Sequence, residues 1–271
     1  MNINFIYPEK SNIKFHIDRY PDSHVHLVLD SELDLRKGSI DVYTRISCMD
    51  DMFILLQLSD ICNRHGVCIQ NVYISYLLGA RADRLFGMNQ ALDLKIIFNM
   101  LESVGAYQFH ILELHNSRSS FYLRSTAFVV HETIMLRQAE RSLNCSPVLL
   151  FPDEGAKKRY VINTFAYSAS KVRQSDGTIK VQLPDIMVGQ DDQIAVIDDL
   201  CDGGGTFVAL YEALSNELKN RVHLFVTHVI QHEPIWKLAQ LYKTVTITNS
   251  YKDWENYEFP KNVKVIKVWD K

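Results

Sequence analysis

Apolar and polar positions divide the chain into short apolar runs separated by amphipathic segments. DVYTRIS (41–47) and NVYISYLL (71–78) have strand character. Between them, DMFILLQLSDICNRHG (51–66) carries apolar residues at helical spacing and ends in glycine. NQALDLKIIFNMLESVG (89–105) predicts a second helix closed by Gly105. FHILEL (109–114), PVLLF (147–151), QIAVID (193–198) and VHLFVTHV (222–229) are almost wholly apolar, as strands of a parallel sheet are when both faces are covered. VTIT (245–248) and VKVIKVW (263–269) predict later strands. This alternation predicts an α/β fold with doubly wound, mostly parallel sheets. A polar stretch at 138–146 predicts a boundary between domains 1–140 and 141–271. The polar region 168–190 reads as a mobile loop or a hairpin.

Composition changes this picture little. The 271 residues are 47% hydrophobic and 23% charged, enough for a sizeable core. A net charge of −3 offers no global attraction to nucleic acid, so no nucleic-acid partner is expected. The five cysteines form no Cys-x-x-Cys pair, which argues against a zinc knuckle or dithiol site. Their odd number, and a start (MNINFIYPEK) unlike a leader, predict a reducing cytoplasm. No run of 18 apolar residues exists, so no membrane span is expected.

The stretch IAVIDDLCDGGGTFVALYEAL (194–214) carries the chemistry. A strand runs into Asp198 and Asp199, then Asp202, three glycines and Thr206, then a helix. Ligands of parallel sheets bind beyond the carboxyl ends of strands, where these carboxylates are expected to fall. Glycines before a helix N-terminus suit phosphate, through backbone N–H groups and the helix dipole. Carboxylates beside such a loop repel phosphate, but they accept hydrogen bonds from a sugar diol or hold a metal carrying the phosphates. The stretch therefore reads as a site for a ribose bearing a phosphate. A calcium loop or an acidic turn is the plainer account.

The stretch resembles the ribose-phosphate site of the phosphoribosyltransferase fold, written hydrophobic–hydrophobic–Asp-Asp-x-x-x-Thr-Gly-Gly-Thr. More closely, the chain is similar to ribose-phosphate diphosphokinases, which make phosphoribosyl pyrophosphate. GARADR (79–84) resembles that family's Tyr-Ala-Arg-Gln-Asp-Arg motif, matching at Arg81, Asp83 and Arg84. ELH (113–115) resembles its Asp-Leu-His strand end, LLFPDEGAKKR (149–159) its Ser-Pro-Asp-x-Gly followed by a basic residue, and SKVR (170–173) its Lys-x-Arg loop. YPDSHVHL (20–27) resembles its adenine-contacting segment.

The resemblance implies two phosphoribosyltransferase-like domains, ATP-site arginines and His115 in the first, the ribose-phosphate and Lys-x-Arg loops in the second. It implies transfer of the β,γ-diphosphoryl group of ATP to the anomeric hydroxyl of a 5-phosphoryl ribose, releasing AMP, with Mg²⁺ as cofactor. Lys171, Arg173 and His115 would be catalytic, and His115 and Asp153 would serve the metal. Arg81, Asp83, Arg84, Tyr20, Asp22 and His24 would bind ATP; Asp198, Asp199, Asp202, Gly203, Gly204, Gly205 and Thr206 would bind the ribose phosphate. A homo-oligomer, at least a dimer, is implied too. Structural roles compete: Asp153 as a helix N-cap, His115 satisfied by a backbone partner, Lys171 and Arg173 as a solvated turn, the arginines as a surface salt-bridge group. His24 and His26 lack a third ligand for a metal.

Two departures bear on the acceptor. The family's Asp-Thr-Gly-Gly-Thr is Asp202-Gly203-Gly204-Gly205-Thr206 here, which removes a phosphate donor at a cost of about 1.5–3 kcal/mol. The second is that the chain stops short of the family's final helix, whereas Ala82, in place of the glutamine of the arginine motif, bears on the nucleotide contacts. These changes resemble a phage branch that forms ADP-ribose pyrophosphate for NAD⁺ rebuilding, so the acceptor leans to ADP-ribose over ribose 5-phosphate, in a host cytoplasm. A phosphoribosyltransferase and a non-catalytic regulatory member are the alternatives.

Overall fold

The structure is a computed structural model that describes residues 1–30, 38–85, 87–116, 127–131, 133–160, 166–173 and 179–270. It comprises two compact units, Met1–His131 with Trp269–Lys271, and Glu132–Val268. The boundary expected at 140 lies inside a helix of the second unit.

The first unit contains β1 (Asn2–Asn4), β2 (Phe15–Arg19), β3 (Val25–Leu29), β4 (Ser39–Ile46), α1 (Met49–Arg64), β5 (Cys68–Leu77), α2 (Asp93–Val104), β6 (Gln108–Leu112) and β7 (Ala127–His131). A parallel sheet runs β1-β4-β5-β6-β7, and β2 and β3 form a separate antiparallel pair. Strands added in one direction by right-handed crossovers place successive helices on one face. Accordingly α1 and α2 share one core with Val42, Val72, Ile74, Phe109 and Ile111. The alternate positions carry an aromatic row, Tyr43–Tyr73–His110, stacked at 4.6 and 4.4 Å across three strands. Gly105 closes α2 in the left-handed conformation.

The second unit contains α3 (Ile134–Leu143), β8 (Val148–Phe151), α4 (Glu154–Arg159), β9 (Ala166–Ser168), β10 (Ser170–Arg173), β11 (Ile179–Gln182), β12 (Ile194–Cys201), α5 (Gly205–Ala213), α6 (Asn216–Lys219), β13 (Val222–Val229), α7 (Glu233–Leu241), β14 (Thr244–Thr248) and β15 (Val263–Ile266). Its parallel sheet runs β15-β14-β13-β12-β8-β9. Leu150, Val196, Leu224 and Val245 pack with Phe207, Leu210, Ile235 and Leu238 of α5 and α7. Leu149, Phe151, Ala195, Ile197 and Phe225 pack with Met135 and Ala139 of α3 and Ala156 of α4. Both faces are covered, which is why these strands read as continuous apolar runs.

One local reading changes, and two become more definite. The polar stretch taken as a boundary is the exposed side and end of α3, which buries Met135 and Ala139 and stops at left-handed Asn144. The region 168–190 includes the antiparallel pair β10–β11. Residues 20–27 form the turn and second strand of the β2–β3 pair, with Ser23 at φ 71°. Among the described residues, no helix is long and apolar enough to cross a membrane.

Candidate active site

In the second unit the strand order reverses between β8 and β12, since the chain adds β9 on one side of β8 and β12 through β15 on the other. Such a reversal opens a crevice at the carboxyl ends of the two strands. Asp153 follows β8, and the acidic and glycine residues end β12. Asp198 and Asp199 lie inside the strand, not beyond it as expected, because β12 keeps its register with β13 through Cys201↔Val229.

Burial of two adjacent carboxylates demands a counter-charge. Arg159 supplies it: Nη1 donates to Asp199 Oδ1 at 2.6 Å and Asp198 Oδ1 at 3.2 Å, with the Arg159 side chain only 7% exposed. Asp198 Oδ1 also accepts from the Asp199 backbone N–H at 2.9 Å. Burial, then Asp199, push the Asp198 carboxyl well above the usual carboxylate range, against the opposing pull of Arg159. Burial works against the Arg159 charge, but Asp199 and Asp198 outweigh it and hold the guanidinium above its ordinary value. Asp198 therefore keeps its proton to higher pH than an ordinary carboxylate does. Burial, with Asp198 and Asp202 beyond it, pushes the Cys201 thiol up to about 12, so it is not a nucleophile at neutral pH.

The glycine loop is tightly specified at one position. Gly204, the N-cap of α5, has φ 72°, and a Cβ there would lie 2.9 Å from Pro234 Cβ. Gly203 and Gly205 have open space where a Cβ would stand. Asp202 Oδ1 accepts from Gln231 Nε2 at 3.0 Å, tying the loop to the chain entering α7. The first N–H groups of a helix such as α5 have no partner within the helix and suit an anion.

Asp153 is the N-cap of α4: its Oδ1 accepts from Ala156 N–H at 2.9 Å. The competing structural role is thus real, and it leaves the residue at the crevice. Lys171 and Arg173 occupy alternate positions of β10, in register with Val181 and Ile179; their side chains lie outside the described residues.

In the first unit, Arg81, Asp83 and Arg84 lie in the loop after β5. Asn116 Nδ2 donates to Asp83 Oδ2 at 2.7 Å, which joins this loop to the segment after β6. His115 lies in that segment but does not end a strand: β6 stops at Leu112, and Glu113 turns the chain at φ 41°. Tyr20, Asp22 and His24 sit together at the β2–β3 turn. The rings of Tyr20 and His24 stack at 5.6 Å, and Asp22 Oδ1 accepts from His24 N–H at 3.1 Å. Phe53 of α1 joins them, 5.7 Å from His24. Among the described residues, no group of three or more His, Cys, Asp or Glu side chains is placed to hold a metal ion.

Sequence reasoning missed Arg159, Asn116, Gln231 and Pro234. Asn116 directly follows the ELH motif. Arg159 ends a basic run in which nothing marks the residue that turns inward.

No family model matches the chain. Ribose-phosphate pyrophosphokinase of Prochlorococcus marinus is 26% identical over 230 residues, 81% of this chain and 69% of the relative. Ribose-phosphate pyrophosphokinase 1, chloroplastic, of Oryza sativa is 25% identical over 263 residues, 92% of this chain and 65% of the relative. The chain thus spans about two thirds of these relatives. The crystal structure of phosphoribosylpyrophosphate synthetase from Mycobacterium smegmatis superposes with a TM-score of 0.75 over 96% of this chain and 88% of that one, at 15% identity. The chain shares its α/β fold with mostly parallel sheets.

Two outcomes follow for stability. Gly204→Ala should lower the unfolding free energy by about 1–3 kcal/mol, while Gly203→Ala should be nearly neutral, as read by urea denaturation. Equal losses at the two positions would contradict the Pro234 contact. Asp198 takes up a proton more readily folded than unfolded, so it costs stability as pH rises from the ordinary carboxylate range through its raised value. Asp198→Asn should therefore raise the melting temperature at neutral pH and flatten its fall between acidic and neutral pH. A lower melting temperature with an unchanged pH slope would refute the assignment.

Proposed function

We propose that the chain is an ATP-dependent diphosphotransferase of the ribose-phosphate pyrophosphokinase type, acting on the anomeric hydroxyl of a 5-phosphoryl ribose and releasing AMP. The observation that carries this reading is the end of β12: a carboxylate pair followed by a glycine loop and a helix N-terminus, beside the point where strand order reverses. Similarity to pyrophosphokinases over most of the chain supports it.

In this reading the hydroxyls of the ribose donate to Asp198 and Asp199, and its 5-phosphate lies against the Gly203–Thr206 backbone. Arg81, with Asp83 and Arg84 orienting that loop, contacts the phosphates of ATP. The Tyr20–His24 stack, with Asp22, receives a planar base. The anomeric oxygen attacks the β-phosphorus as the bond from that phosphorus to the α,β-bridging oxygen breaks, and the hydroxyl proton leaves. Such transfer needs alignment and neutralisation of charge more than covalent help. Lys171 and Arg173 supply positive charge to the transferring group.

Mg²⁺ would be held as a hard cation that keeps most of its water; Asp153, after β8 of the second unit, and His115, after β6 of the first, are the residues that would serve it, each within its own unit. When bound it neutralises phosphate charge.

The relatives' name speaks of a ribose phosphate, which we read as ribose 5-phosphate, and the open space at Gly203 favours a second reading, ADP-ribose. A group continuing from the phosphate can pass where the family has a threonine.

The test is AMP release from ATP and Mg²⁺ with each acceptor separately. AMP with ADP-ribose alone supports the diester reading; AMP with ribose 5-phosphate alone makes the chain an ordinary phosphoribosyl pyrophosphate synthetase; AMP with neither refutes the reaction. Gly203→Thr should shift the ratio of kcat/KM values toward ribose 5-phosphate by about tenfold, the worth of one hydrogen bond to a charged group. Lys171→Ala should lower kcat by about 100-fold or more and leave ATP binding within about twofold. Unchanged turnover would remove β10 from the mechanism.

A further inference from the structure

The phosphate-binding loop of the second unit follows two carboxylates, an arrangement that repels the anion it is proposed to hold. Arg159 resolves the conflict. It is the last residue of α4, whose first turn is capped by Asp153, so one six-residue helix spans from the end of β8 to the carboxylates of β12. Its guanidinium is buried and bridges Asp198 and Asp199 through Nη1. Asp198 Oδ1 accepts from Arg159 Nη1 and from the Asp199 backbone N–H, so the carboxylate is held on two sides.

We propose that Arg159 is a positioning residue for the acceptor sugar: it offsets the charge of the Asp198–Asp199 pair beside the glycine loop and fixes both carboxylates where the ribose hydroxyls meet them. The inference rests on the reading under Proposed function and extends it to a residue outside the glycine loop. In this proposal Arg159 acts through Asp198 and Asp199 and not on ATP, so its effect belongs to acceptor binding. Tyr160 and Asp199 are the other ionisable groups that act on this guanidinium beside Asp198.

The test compares Michaelis constants for ribose 5-phosphate, ADP-ribose and ATP in the wild type, Arg159→Gln and Arg159→Lys, each shown to be folded by its thermal melt. Arg159→Gln should raise the KM of the acceptor that the wild type uses by about ten- to a hundredfold. Arg159→Lys keeps the charge on a differently shaped arm and should raise it severalfold. The KM for ATP should stay within about twofold in both. If Arg159→Gln does not fold, the acceptor KM of Arg159→Lys carries the test. An unchanged acceptor KM in a folded variant, or an ATP KM rising in parallel, overturns the inference while the reaction stands. A wild type that releases no AMP with either acceptor overturns the reaction itself and this inference with it.

Discussion

A buried carboxylate pair needs a cation, and meeting that need organises the second unit. Arg159 reaches Asp198 and Asp199 from the end of α4. Taking Arg159 away would leave carboxylates without a counter-charge in a place that water reaches poorly, at a cost of about 3–5 kcal/mol. The ion pair therefore holds α4 against β12, as the apolar contacts of Ala156 hold it to the sheet. It also sets the charge beside the glycine loop: two carboxylates and one guanidinium leave far less repulsion for a phosphate than two carboxylates alone.

Topology brings these groups into one place. β8 and β12 are adjacent though forty-odd residues lie between them in the chain, and the register Ile194↔Val148 to Val196↔Leu150 brings their ends side by side. The reversal of strand order there keeps crossovers from covering the opening. Asp153 caps α4 at one side, while Gly204 lets α5 start close to α7 at the other. Each device is local in sequence, and the sheet puts them together.

The first unit works differently. Its strands advance one way and its helices share one face, so the alternate positions of β4, β5 and β6 form the row of Tyr43, Tyr73 and His110. Burial and the neighbouring Asp41 keep both tyrosine hydroxyls protonated by raising them above their ordinary value, with Tyr73 adding to this effect at Tyr43. The Asn116–Asp83 hydrogen bond joins two loops through residues 33 positions apart in the chain.

The sequence by itself determined the α/β class, the main strands and helices, and the acidic glycine-rich turn, because hydrophobic period and glycine placement are local properties. It showed a histidine, arginines and carboxylates at loop positions. It did not show that Asp198 and Asp199 lie within β12, since a strand's end depends on what its neighbours offer to pair with. It did not separate Asp153 as a cap from Asp153 as a ligand, because one carboxylate has two oxygens and can serve both. It read the second half of α3 as part of a domain boundary because only two side chains of the helix are fully buried and its polar face dominates the pattern. Above all, nothing in AKKR marks Arg159 as the residue that turns inward. Only the meeting of α4 and β12 in three dimensions decides that, because the partner of a buried charge is chosen by distance in space.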